Sequence, residues 1–177
     1  MIKNLTEFFT FPNPVNEVSA RLVASGVILI SIISVISIFL NKFQNLPSLY
    51  PLIILSLITY GFIARVTSGP KISPLGLLVT KIIVPNLSLN EKLVAGPPKR
   101  FAQAIGLLMS GLALIFFVLG VKEISMIIMG ILVIFTFLES FLGFCAGCKI
   151  FNILIRLGII PQNICEACSN YSPQQVG

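Results

Sequence analysis

Four long apolar runs, separated by short polar or proline-rich stretches, set the pattern of this chain. They cover about 20–40, 46–64, 101–120 and 124–144, and each is near the roughly 20 helical residues needed to cross a bilayer core. The first is rich in Ile, Val, Leu and Ser and carries no charge after Arg21. Pro51 stands near the start of the second, where a missing N–H costs least. The pattern predicts an all-α membrane protein with four transmembrane helices. Residues 1–177 then form one membrane domain, and 145–177 form a cysteine-bearing tail.

Composition supports the same class. The chain has 177 residues, 56% hydrophobic and 10% charged, with a mean hydropathy of +1.01, whereas soluble chains carry about 25% charged residues. No separate soluble enzyme domain fits this length. After Lys3 the sequence continues Leu-Thr-Glu-Phe-Phe-Thr-Phe-Pro, unlike a cleavable signal peptide, so the first run is expected to stay as an uncleaved helix.

The net charge of +6 does not point to nucleic acid, because the cations lie between apolar runs and not on one soluble face. Lys3, Arg21, Arg65, Lys71, Lys81, Lys92, Lys99, Arg100, Lys149 and Arg156 flank one side of the predicted spans; only Lys42 and Lys122 flank the other. The positive-inside rule then places both termini and the central segment in the cytoplasm of a multi-pass cell-membrane protein, with the lipid bilayer as its first partner.

The segment between the second and third runs has structure of its own. Ser68 to Gly76 is turn-rich, since Gly-Pro and Ser-Pro break helices. Leu77 to Val84 is apolar around Lys81, which suits an interfacial helix with a snorkelling lysine or a re-entrant piece packed among the spans. Gly96-Pro-Pro-Lys-Arg100 opens the third run, where Lys99 and Arg100 are expected to anchor the helix among head groups. Arg21 and Gly26 find an echo in Arg100 and Gly106, and Gly61-Phe-Ile-Ala64 in Gly143-Phe-Cys-Ala146. These pairs fit two pseudo-repeated helical hairpins or a chance likeness between two hairpins.

The candidate chemistry is concentrated after the fourth run. All four cysteines fall in two pairs, Cys145-Ala-Gly-Cys148 and Cys165-Glu-Ala-Cys168, sixteen residues apart, and the chain has no histidine. A C-x-x-C pair can close a redox disulfide once one thiol becomes a thiolate, and Lys149 beside Cys148 is a cation that could favour it. The pattern puts Cys145 at the end of a helix, where the dipole opposes the thiolate; a break at Gly143 with a new helix starting near Cys145 would remove that objection. The stretch 149–164 reads as an amphipathic helix on the cytoplasmic leaflet, turned at Gly158 and Pro161. It would return the second pair toward the first. The same spacing matches a four-thiolate zinc site formed by Cys145, Cys148, Cys165 and Cys168. Inert buried thiols, or a non-enzymatic scaffold that docks a soluble partner, are the remaining readings. Without histidine, a hydrolase triad and His-ligated haem or copper are excluded.

Glu139, about one and a half turns before Cys145, is the one carboxylate inside a predicted span. Such an acid is costly and a functional candidate, able to hold a proton for a thiol. Alternatively it is an ion-pair partner of Arg65 or Arg100. Glu17 precedes Arg21 by four residues, the spacing of a helical pair, with Asn16 as a cap.

Pro12-Asn-Pro-Val-Asn-Glu17 with Arg21, Gly69-Pro-Lys-Ile-Ser-Pro-Leu-Gly76, Gly96-Pro-Pro-Lys-Arg-Phe-Ala-Gln103, and Glu139 followed by Gly143-Phe-Cys-Ala-Gly-Cys148 form a combination spread over nearly the whole chain. It resembles the prokaryotic membrane family catalogued as domain of unknown function 4395. The resemblance implies a four-span membrane protein without an established activity. It also implies an association with thioredoxin-like or sulfur-transfer proteins, which favours a thiol relay at Cys145, Cys148, Cys165 and Cys168 by analogy.

Overall fold

The computed structural model describes residues 11–86 and 92–159. A two-residue strand, β1 (Val15–Asn16), leads into α1 (Glu17–Phe43), followed by α2 (Leu49–Ser68). A 3-10 turn, Gly69–Lys71, and α3 (Pro74–Leu78) follow. The helical path then continues through a π-helical turn, Val79–Ile83, to Val84–Asn86. The strand β2 (Leu93–Val94) precedes α4 (Gly96–Val118), α5 (Lys122–Leu142) and α6 (Ala146–Arg156). Among the described residues, four helical stretches are long and apolar enough to cross a membrane: α1, α2 continued to Asn86, α4 and α5. The chain is an all-α membrane-type protein.

Local chemistry explains the element ends. Asn16 caps α1, its Oδ1 accepting the Val18 N–H at 3.0 Å. Gly69, at φ +65, lets the chain leave α2. Ser73 caps α3, with Pro74 in the first turn, so the helix begins before Leu77. Likewise α4 starts at Gly96, ahead of Phe101, because Pro97 and Pro98 suit a first turn whose N–H groups have no helical acceptor. β1 pairs antiparallel with β2, Val15 opposite Val94 and Asn16 opposite Leu93. This short ladder, not visible in the sequence pattern, ties the N-terminal arm to the entrance of α4.

In the bundle, α1 packs along α5 and α2 along α4, with α4 and α5 in contact between them. Ile38, Leu55, Met129, Val27, Ile58, Phe62, Ala113 and Leu132 form one apolar core. Buried Ser31, Ser34, Ser110 and Ser125 let the helices approach closely, and Ser125 Oγ donates to the Ala113 carbonyl across α4 and α5 at 2.8 Å. Large apolar side chains such as Leu29, Ile53, Leu57, Ile115, Ile127 and Ile134 face outward, as lipid contact requires. The segment after Ser73 is packed onto the bundle: Val79 is buried, and Leu75, Ile83 and Val84 lie against the same core.

Candidate thiol site at the α5–α6 break

The site begins with a helix stop. Gly143, in the left-handed region at φ +64, ends α5, and the Phe144 N–H bonds back to the Leu138 carbonyl at 3.0 Å. The Gly143 N–H turns back to the same Leu138 carbonyl, so both amides after the last turn close on one acceptor, one residue wider than the usual glycine cap. Two residues later Cys145, in an extended conformation, is the N-cap of α6. Its Sγ accepts the Cys148 N–H at 3.4 Å. The thiol pair therefore opens a helix, where the dipole favours an anion.

The two thiols are not equivalent. A hydrogen bond from Cys148 lowers the Cys145 thiol below the ordinary range, helped by the charge of Lys99 and opposed by burial and by Glu139. The same hydrogen bond, followed by burial, raises Cys148. Cys145 is thus the first to ionise. It is buried, yet it borders an open cleft of ≈ 510 Å³ that also holds Cys148, Lys149, Asn152, Glu17 and Lys99.

α6 is held by close contact and by its apolar stripe. Phe151 and Ile155 are buried, and Phe151 stacks obliquely on Phe101 with centroids 5.5 Å apart. Gly147 sits against Ala102 of α4; a Cβ there would fall 2.5 Å from the Ala102 Cα, too close for backbone to accept. Cys145 and Cys148 are consequently pressed onto the first turns of α4.

Beside it, where α4 packs on α5, Lys99 meets Glu139, with Nζ donating to Oε1 at 2.8 Å and side chains only 8% and 13% exposed. The expectation that Arg65 or Arg100 pairs with Glu139 is corrected. Arg65 lies over the Phe62 ring, 4.3 Å from its centroid, and Arg100 turns away to donate to the Val66 carbonyl at 3.0 Å. Lys99 is likewise not a head-group anchor, because the azimuth of α4 turns it inward. Lys149, expected to act on the thiols, instead lies 5.9 Å from the Phe144 ring centroid; Lys99 is the cation whose charge acts on both.

The expected Glu17–Arg21 pair is also corrected. Glu17 bonds Lys92 at 2.8 Å, brought close by the β1–β2 ladder. Arg21 donates to the Ser140 and Phe141 carbonyls at 3.0 Å each, covering the C-terminal end of α5. Ser25 and Ser140 join the same helix pair by a 2.5 Å hydroxyl contact.

Glu139 and Cys145 share the wall of a small cavity of ≈ 50 Å³ with Gly106 and Phe62. Cys165 and Cys168 lie outside the described residues. Among the described residues no group of three or more Cys, Asp or Glu is arranged to hold a metal. A four-thiolate zinc site would therefore need both of those cysteines.

Searches of the curated proteins and of the solved structures return no match. A family model described as Domain of unknown function (DUF4395) matches residues 15–156, from β1 to the end of α6. The matched stretch includes Lys99, Glu139, Cys145 and Cys148 and stops before Cys165. With that match over most of its length, the chain belongs to the DUF4395 family.

Proposed function

We propose that the protein is a membrane-embedded dithiol relay that exchanges electrons with a soluble thioredoxin-like or sulfur-carrying protein. One observation carries this reading: Cys145 caps α6, its Sγ accepting the Cys148 N–H at 3.4 Å at the edge of an open cleft, so the helix start favours a thiolate there.

In the exchange, the Cys145 thiolate attacks a disulfide of the partner. A Cys145–partner S–S bond forms, the partner's own S–S bond breaks, and its second sulfur leaves as thiolate. Cys148 then loses its proton and attacks Cys145 Sγ. The Cys145–Cys148 disulfide forms and the partner's remaining sulfur leaves, so the partner gains two electrons and two protons. Glu139 acts electrostatically on both thiols while paired with Lys99, and the Cys148 proton leaves to solvent through the open cleft that Cys148 borders. Run backwards, the same steps oxidise a partner dithiol.

The ten-to-two distribution of Lys and Arg supports a cytoplasmic position for the thiols and both termini. There glutathione keeps permanent disulfides rare, as suits a cycling pair. A membrane-impermeant methanethiosulfonate should reach the pair in inside-out vesicles and fail in right-side-out ones.

Trapping tests the relay. In a Cys165→Ser/Cys168→Ser background, Cys148→Ser should accumulate a mixed disulfide between Cys145 and an oxidised thioredoxin-like protein. Cys145→Ser should accumulate little. Equal trapping through either cysteine, or none through Cys145, would sink the assignment of Cys145 as the attacking thiol.

A further inference from the structure

We infer that Arg65 is the anchor of a second site, a pocket for a small organic anion with a carboxylate head and a short apolar body. Arg65 is 5% exposed, and its Nε and Nη1 are buried without a hydrogen-bond partner. The stacking on Phe62 fixes the guanidinium but satisfies none of its N–H groups. Glu139 acts on Arg65 through space, but its Oε1 is taken by Lys99 at 2.8 Å. Among the described residues, two buried cations therefore share one carboxylate, which leaves one positive charge there without a counter-ion of its own. Buried charges and unmade donors of this kind are expensive unless something pairs with them.

The space for such a partner is present. Arg65, Lys99 and Gln103 border a cavity of ≈ 160 Å³, and Pro12, Val15 and Val23 give it an apolar wall. Gln103 Oε1, on the same wall, is also buried without a partner; it is an acceptor, so it calls for a donor group and the carboxylate contact falls to Arg65 alone. The volume exceeds the roughly 30 Å³ share of one water several-fold. A cationic end and an apolar end select an amphiphilic anion over a purely inorganic one. A carboxylate placed on Arg65 would gain charge-assisted hydrogen bonds. Its alkyl part would cover Val15 and Val23. This site does not depend on the thiol reading, and its test reads no thiol.

The test uses the full chain in detergent, with acetate, propionate and butyrate as free acids, decanoate as a membrane-borne carboxylate and sulfate as the inorganic control. Binding is read by calorimetry and by thermal shift. The free acids should bind with affinity rising about fourfold for each added methylene, and Arg65→Gln should weaken butyrate at least about tenfold. Ala20→Leu, which fills the cavity and keeps Arg65, should also remove binding, so a poorly folded Arg65 variant does not block the test. Binding of decanoate without butyrate keeps the site and assigns its carboxylate to the membrane. No binding by the wild-type chain overturns the inference. So does binding of sulfate as tight as butyrate, or butyrate affinity unchanged in a folded Arg65→Gln protein.

Discussion

Glu139→Leu should destabilise the protein by about 3–5 kcal/mol, the cost of leaving a buried charge without its partner. Leucine preserves much of the packing volume, so the loss comes from Lys99, which is only 8% exposed at its side chain and keeps no other acid within bonding distance among the described residues. Arg65 makes the loss larger, because Glu139 also offsets its charge. Adding Lys99→Met should restore most of the stability, since exchanging both charges for apolar groups is close to neutral. Denaturation of the four proteins of this cycle in one detergent measures the effect. A loss within the roughly 0–1 kcal/mol typical of an exposed pair would show that Lys99–Glu139 is a surface contact, and its place beside the thiols would lose its meaning.

The second large effect is on thiol reactivity. With Cys165 and Cys168 replaced by Ser, alkylation by a small reagent should follow a titration midpoint below that of an ordinary thiol, and Cys145→Ala should remove this reaction. The sign in each single variant follows from the cause of each shift. Cys148→Ala takes away the main acidifier of Cys145, so the remaining burial and the Glu139 charge should move its midpoint upward. Cys145→Ala takes away the main cause that raises Cys148, so that thiol should titrate lower than it does in the pair. Rate against pH, measured for the parent and both variants, checks all three. Identical midpoints in parent and variants would mean that the thiols do not share a hydrogen bond.

Much of this architecture was legible in the apolar runs, because a membrane helix must satisfy its own backbone and so declares its length in sequence. The sequence favours a helix ending at Cys145 and holds a break at Gly143 as the other reading; the structure takes the break, with Gly143 in the left-handed region and Cys145 opening α6. The partner of Glu139 was not legible. Lys99, Arg65 and Arg100 all lie near the same end of the bundle, and which one turns inward depends on the rotation of α4. That rotation is fixed by contacts such as Gly147 on Ala102 and Gly106 on Phe62, which join residues far apart in the chain. The Glu17–Arg21 spacing misled for a related reason. The β1–β2 ladder offered Glu17 a non-local lysine, and the open carbonyls at the end of α5 offered Arg21 a better acceptor. A helical spacing of four makes a pair available; it does not outbid partners that tertiary structure supplies.

The most direct measurement is an anaerobic redox titration of the purified protein, with Cys165→Ser and Cys168→Ser, in thiol–disulfide buffers, counting free thiols by mass after quenching. A dithiol relay predicts that Cys145 and Cys148 disappear together as one reversible two-electron step, at a potential between about −180 and −320 mV, where cellular dithiol carriers work. Metal analysis of the unmutated chain completes it. Two thiols that never pair across that range, or tightly held zinc that shields all four cysteines of the parent protein, would contradict the relay.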